Sequence, residues 1–287
     1  MNFKHKYVFL FPGLFVLIGI LIFPIVFTVR LSLSGWNSYN PELNFIGLDN
    51  YVRLFTEDPR FWEAFFRLTF LSVTTVILQY FIGFALALMV WRDIKFKRFF
   101  RVMFLIPMMT TPVIMTVIWR TFFHESLGPV NDLLSVFGVA PKWLTDPALA
   151  KITVIIVEVW QWTPFMFLLL LAGLLSLPKE PFLAAAIDGA GPIRKFVYVT
   201  FPLMAPISIG AIIIRLIEAS KIMDTVYVLT SGGPGTSTET SSYYIFVKGL
   251  REFQFGYSAA LSFTYLIIMI ISLTIISKFL AKLLIKK

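Results

Sequence analysis

The chain has no cysteine and only two histidines among its 287 residues. Disulfides, thiolate metal sites and cysteine nucleophiles are therefore excluded. Charge is scarce as well. Asp, Glu, Lys and Arg make up 14% of the chain, where an average soluble domain carries about 25%. With 58% hydrophobic residues, 31 phenylalanines and a mean hydropathy of +0.82, the polar groups are too few to cover a globule. These shortages specify an all-α polytopic membrane protein, because in lipid every backbone polar group must be satisfied within the segment. His5 and His124 have no metal-ligand partner at useful spacing, and His124 beside Glu125 reads as a solvated pair. No metal site is expected, and a membrane-embedded enzyme would have little to work with.

What is present is a series of apolar runs. A spanning helix needs about 20 mostly apolar residues, and six stretches qualify: 7–29, 65–91, 102–122, 149–175, 201–223 and 257–280. The first follows two lysines, but its apolar run exceeds the roughly 7–15 residues of a signal peptide, so it reads as an uncleaved span. The net charge of +9 could suggest a nucleic-acid partner. Its distribution points instead to membrane orientation, and no nucleic acid is expected. The loop "WRDIKFKRFFR" (91–101), Lys4, Lys6, Lys179, Arg194, Lys195 and the tail "KFLAKLLIKK" all fall on one side of a six-span topology. The positive-inside rule makes that side cytoplasmic, with both termini inside. The chain reads as a single transmembrane domain over 1–287. It comprises a first span with an outer segment (1–62) and a five-span core (63–287) with a cytoplasmic loop at 178–200.

That loop is unusual. "LAAAIDGAGPIRKFVYVTFPL" (183–203) places an alanine run, an Asp-Gly pair and two cations between apolar segments. The alanines favour a short helix, Gly189 and Gly191 permit a sharp turn, and Pro192 suits the first turn of a second helix. The expectation is two short surface helices joined by a glycine corner, with Asp188 capping or bracing it. Phe196 would be an anchor for a partner's groove. An interfacial amphipathic loop without a partner is the other reading.

Span five is polar in its second half. "RLIEASKIMD" spaces Arg215, Glu218, Lys221 and Asp224 three apart, so consecutive members are helix neighbours. Ionisable groups at such depth usually face a bundle interior or a water cavity, which suggests a path for a hydroxylated solute. Self-neutralising pairs near the interface are the alternative. Span four adds Glu158, Trp160, Gln161 and Trp162. Aromatic faces beside hydrogen-bonding groups suit a sugar ring, as they also suit ordinary packing. Tyr227, just beyond span five, completes the pathway set. "SGGPGTST" (231–238) lacks the Gly-Lys-Ser/Thr ending of a phosphate loop. Gly232, Gly233, Pro234 and Gly235 read as a turn-rich outer loop.

The 183–203 stretch also resembles the cytoplasmic coupling loop of bacterial ABC importer permeases. Their pattern is Glu-Ala-Ala, two residues, Asp-Gly-Ala, five residues, then Phe and a later Pro. Ala184, Ala185, Asp188, Gly189, Ala190, Phe196 and Pro202 fall on it, and Leu183 stands where the family usually has the glutamate. "NFIGLDNYVRLFTEDPRFWEAF" (44–65), "VWQWTPF" (159–165), "YVLTSGGPGTSTET" (227–240) and "FGYSAALSF" (255–263) resemble, in order, further segments of the maltose-type, binding-protein-dependent carbohydrate-uptake subfamily. The resemblance implies a permease subunit that carries a sugar or oligosaccharide across the cytoplasmic membrane of a bacterium or archaeon. It implies a second, different permease, two ATPase subunits and an extracytoplasmic solute-binding protein as partners, with membrane lipid around the spans. ATP and Mg would be used by the partner ATPase, and this chain would hold no cofactor and no catalytic residue. Residues 183–185, 188–190, Arg194 and Phe196 would meet the ATPase. Glycerol-phosphate-type solutes fall within the same family. An ion-coupled secondary carrier using Glu158 or Glu218 is the alternative from another class.

Overall fold

The computed structural model describes residues 3–91 and 95–284. Arg92 of the basic loop and Lys286 and Lys287 of the tail, which enter the charge argument, lie outside it. The described residues are helical except for turns and one isolated bridge, Ser34 to Phe45. The helices are α1 (Phe3–Ser32), α2 (Asp49–Thr56), α3 (Pro59–Trp91), α4 (Lys97–Leu105), α5 (Pro112–Phe122), α6 (Pro129–Ser135) and α7 (Pro147–Leu175). After them come α8 (Glu180–Ile187), α9 (Pro192–Lys195), α10 (Phe201–Ala219), α11 (Asp224–Leu229), α12 (Ser241–Phe246) and α13 (Phe255–Leu284). Five helical stretches are long and apolar enough to cross a membrane: Leu10–Ser32, Pro59–Trp91, Pro147–Leu175, Pro192–Ala219 and Phe255–Leu283.

The sixth span differs from the straight helix expected over 102–122. It is a pair, Lys97–Met109 and Pro112–Phe122, bent by 91°. The cause is local. Pro112 disfavours helical geometry in the residue before it, and Thr110 and Thr111 are both extended. Backbone carbonyls freed in lipid need donors. The Gln161 side chain supplies them, giving Nε2–H bonds to the carbonyls of Pro107 (2.8 Å) and Thr110 (3.1 Å).

The fifth span is also shifted. The second short helix expected after the glycine corner does not stand apart. From Pro192 it runs through a π turn (Phe196–Thr200) into α10, so one span covers Pro192–Ala219. Pro202 has no N–H to offer the Tyr198 carbonyl, and the ladder widens by one residue just before it. At the other end the helix stops at Ala219 rather than near Met223. Hydroxyls from elsewhere take the terminal carbonyls. Ser72 donates to Ala219 (2.8 Å), Thr240 to Ile222 (2.8 Å) and Ser242 to Ser220 (3.3 Å). These bonds satisfy a helix end within the fold.

Two compact units make up the chain. One comprises residues 1–62 with 244–268. In it Asp58 caps the start of α3 through the Phe61 N–H (3.1 Å) and accepts hydroxyls from Tyr244 (2.8 Å) and Tyr257 (2.5 Å). Burial, and then the Asp58 carboxylate, push the Tyr244 phenol up, so the ring donates throughout the physiological range. Gly256 donates to Trp36 (2.9 Å), and a Cβ at Gly256 would land on the Ser34 carbonyl. Residues 10–27 of α1 are exposed, whereas Ser32 at its end is buried and accepts the Tyr51 hydroxyl (2.6 Å).

The other unit comprises residues 63–243 with 269–287. Its centre is α3, α7 and α10. α7 begins where Asp146 accepts the N–H groups of Ala148 and Leu149 (both 2.9 Å) ahead of Pro147. Gly83 lets α3 approach α7, since a Cβ there would lie 3.0 Å from the Phe167 backbone. Gly173 does the same for α7 and α10, facing Ile207 at 2.7 Å. Small residues are what permit close helix approach where no hydrophobic drive exists between helices.

Candidate functional site

Three core helices meet on one buried polar cluster. Arg215 of α10 and Glu158 of α7 form an ion pair at 3.4 Å, with side-chain exposures of 1% and 5%. The Arg215 Nε–H donates to Gln79 Oε1 (2.8 Å) on α3. Gln79 in turn donates through Nε2 to the Glu158 backbone carbonyl (2.9 Å). The Thr225 hydroxyl, from α11, donates to Glu158 Oε1 (2.5 Å). The guanidinium lies 4.9 Å from the centre of the Trp162 ring, a cation–π distance. Both charged groups in this cluster therefore have partners, which is the condition for charge to persist at such burial.

The cluster corrects the expected pairing along span five. Arg215 reaches across to Glu158 on another helix, not to Glu218 on its own. Lys221 and Asp224 lie past the end of α10, Lys221 in the turn and Asp224 opening α11. Glu218 and Lys221 do pair at 2.9 Å, but they are 46% and 62% exposed. Glu158, Trp162, Glu218, Lys221, Asp224 and Thr225 line one cavity of about 160 Å³. Ligand pockets typically measure about 300–1,000 Å³. This one is narrow, and it is lined by carboxylates, a cation, a hydroxyl and an indole face.

The remaining span-four residues turn elsewhere. Gln161 is committed to the carbonyls at the bend. Trp160 packs edge-on to Trp119 (5.5 Å) and lines an apolar groove of about 530 Å³ with Leu78, Ile82 and Phe104. Tyr227 is 40% exposed and lies near Tyr243, with ring centres 6.3 Å apart. In the loop, Gly232 and Gly235 adopt left-handed φ of +83° and +60°, and Gly233–Pro234 is cis. Thr238 fastens the loop by donating to the Gly233 carbonyl (2.8 Å). Gln79 and Thr225 were not among the sequence candidates. Gln79 carried one legible signal, a lone amide in an otherwise apolar run.

The 178–200 loop forms α8 and the glycine corner. Gly189 has φ +70° with open space where a Cβ would sit. Asp188 ends α8, and neither α8 nor α9 begins with a side-chain cap, so the expected Asp188 brace is not made. Phe196 is not an outward anchor. Its ring is half-buried and packs against Phe84 (5.7 Å) and Phe201 (6.2 Å). The most exposed apolar groups are Leu183 (63% exposed), Ile187 (88%), Ile193 (81%) and Tyr198 (77%). Ala184, Gly189 and Arg194 lie exposed among them, with Ala185 and Ala190 partly covered.

Comparison with known proteins follows from this geometry. Residues 79–287 match the family described as binding-protein-dependent transport system inner membrane component. The chain is 36% identical over 275 residues to the trehalose/maltose transport system permease protein MalF of Thermococcus litoralis, covering 95% of this chain and 92% of that one. It is 35% identical over 255 residues to the sulfoquinovosyl glycerol transport system permease protein SmoG of Agrobacterium fabrum, with coverages of 88% and 82%. It is 31% identical over 276 residues to the sn-glycerol-3-phosphate transport system permease protein UgpA of Escherichia coli, with coverages of 94% and 91%. Among solved structures, a bacterial ABC transporter involved in the import of the acidic polysaccharide alginate superposes with a TM-score of 0.83. It is 21% identical and covers 97% of this chain and 96% of that one, which establishes likeness of fold.

Proposed function

Because the chain belongs to the family of inner-membrane components of binding-protein-dependent transport systems, we propose that it is the permease subunit through which a sugar or other polyhydroxylated solute passes. The permease class agrees with what the sequence implies. The solute class rests on the relatives named for trehalose/maltose, sulfoquinovosyl glycerol and sn-glycerol-3-phosphate, and on a constriction whose groups suit hydroxyls. We assign both termini and the 178–200 loop to the cytoplasm, from the basic bias. Glu158, Trp162, Arg215 and Asp224 form the gate.

The observation that carries the reading is the bare corner. Four apolar side chains stand clear of the chain around a glycine that alone tolerates its backbone geometry. Such a surface suits a partner, and in a binding-protein-dependent transport family that partner would be the subunit that hydrolyses ATP. With Leu183 in place of glutamate, the contact is apolar rather than ionic. A second permease, two ATPase subunits using ATP and Mg, and an extracytoplasmic solute-binding protein complete the assembly. ATPase closure would act on α8 and, through continuous backbone, on α10 and Arg215. Affinity purification of the tagged chain in mild detergent, with mass spectrometry of co-purifying subunits, tests this. An ATPase and a second permease in matched amounts are expected. Recovery alone or as a homodimer would refute the reading.

A further inference from the structure

We propose that a pocket between α3, α7 and the 230–240 loop binds the phosphodiester of a membrane lipid, in the leaflet opposite the 178–200 loop. The pocket measures about 230 Å³ and is lined by Phe66, Arg67, Phe70, Leu71, Lys151 and Ser237. Two of its polar atoms, Arg67 Nη2 and Ser237 Oγ, are buried without a hydrogen-bond partner. The rest of the Arg67 guanidinium is fixed. Its Nη1 pairs with Glu63 at 3.2 Å and its Nε–H donates to the Glu239 carbonyl at 3.1 Å. The Glu239 carboxylate stands 3.8 Å from Nη2, beyond hydrogen-bond length. Glu63 and Glu239 therefore hold the guanidinium in place, while Lys151 adds a cation with no ion-pair partner among the described residues. An acceptor of several oxygens and negative charge satisfies all three donors at once.

Depth selects a lipid over a dissolved anion. Arg67 stands about 24 residues before the end of α3, and Lys151 about 24 before the end of α7, roughly 36 Å along each axis. A hydrocarbon core of about 30 Å leaves both cations one turn beyond it, at the level of the phosphates. Phe66, level with Arg67, and Phe70, one turn below it, are 67% and 55% exposed, an apolar wall for the top of an acyl chain. Two cations over exposed aromatics at the boundary match the amphiphilic profile of a phospholipid, whereas a free phosphate has no use for the phenylalanines. This site is separate from the Glu158–Arg215 constriction and requires only that α3 and α7 cross the bilayer.

The full chain in phosphatidylcholine vesicles doped with phosphatidylglycerol bearing a photoreactive acyl chain provides the test. Crosslinking should map to Phe66 and Phe70. Lys151→Gln should reduce it about fivefold, the value of one cation near a lipid surface, and Lys151→Arg should retain it. Lys142→Gln, an exposed cation in the preceding loop, should leave it unchanged. Lys151 is substituted rather than Arg67 because Arg67 also holds Glu239. Undiminished labelling in Lys151→Gln would overturn the proposal. Equal labelling by a diacylglycerol probe, which lacks the phosphate, would show an apolar groove only. Protection by inorganic phosphate would assign the pocket to a free anion. Either result overturns the lipid assignment.

Discussion

Removing Arg215 alone should be among the most damaging substitutions in the chain. Arg215→Met leaves the Glu158 carboxylate 5% exposed with a single hydroxyl, that of Thr225, on its side chain. Deleting one partner of a buried pair costs about 3–5 kcal/mol, and the lost donor to Gln79 adds about 1–3 kcal/mol for an unsatisfied buried amide. Glu158→Gln in the same background removes the stranded charge and should recover most of the loss, because neutral replacement of both partners is often nearly neutral. The assay is denaturant unfolding in detergent, run as a double-mutant cycle and paired with solute uptake. Lys221→Ala, which breaks only the exposed Glu218 pair, is the control and should change stability by less than about 1 kcal/mol. A loss below about 1 kcal/mol in Arg215→Met would refute the reasoning, since it would mean that water reaches the pair. The double variant then separates two roles. Stability restored without uptake places the pair in the solute path, and restoration of both makes it a strut.

Gln161→Leu should free the Thr110 carbonyl and leave that of Pro107 with only the Thr110 hydroxyl (2.8 Å), at a cost of about 1–3 kcal/mol, seen as increased protease cutting or hydrogen exchange at 106–112. Gly173→Val should force α7 from α10, since a Cβ already meets Ile207 at 2.7 Å; a loss of at least about 1–3 kcal/mol is expected in thermal unfolding. Gly189→Val meets open space but adopts a left-handed φ that costs an L residue about 1–2 kcal/mol. The chain should still fold while ATP hydrolysis and uptake lose their linkage in the reconstituted importer, and unchanged linkage would count against the corner as the transmission element.

Much of this architecture was legible from composition and run length. Apolar stretches located all the spanning helices, and the largest boundary shift was at the fifth span, which begins at Pro192 instead of Phe201. Several departures share one cause, namely partners supplied from far along the chain. Nothing near 219 stops α10; Ser72, Thr240 and Ser242 do. The bend at 110–111 is written in Pro107 and Pro112, but its tolerance in lipid depends on Gln161, 51 and 54 residues from the carbonyls it serves and in another helix. Spacing along "RLIEASKIMD" suggested neighbours on one helix, whereas Arg215 found Glu158 because burial favours the partner that shares its depth. Phe196 looked outward in the sequence because a π turn carries no signature that periodicity detects, apart from the proline that follows it.

The end of α10 has one more implication. The carbonyls at and just past its end are held by three hydroxyls from two separate stretches of chain, so its length is a collective property and not encoded within the helix. Genetically, compensating changes for a defect in α10 should arise at positions 72, 240 and 242. Mechanically, the terminus registers the position of α3 and the 240–242 turn together, like a joint whose stop belongs to its neighbours.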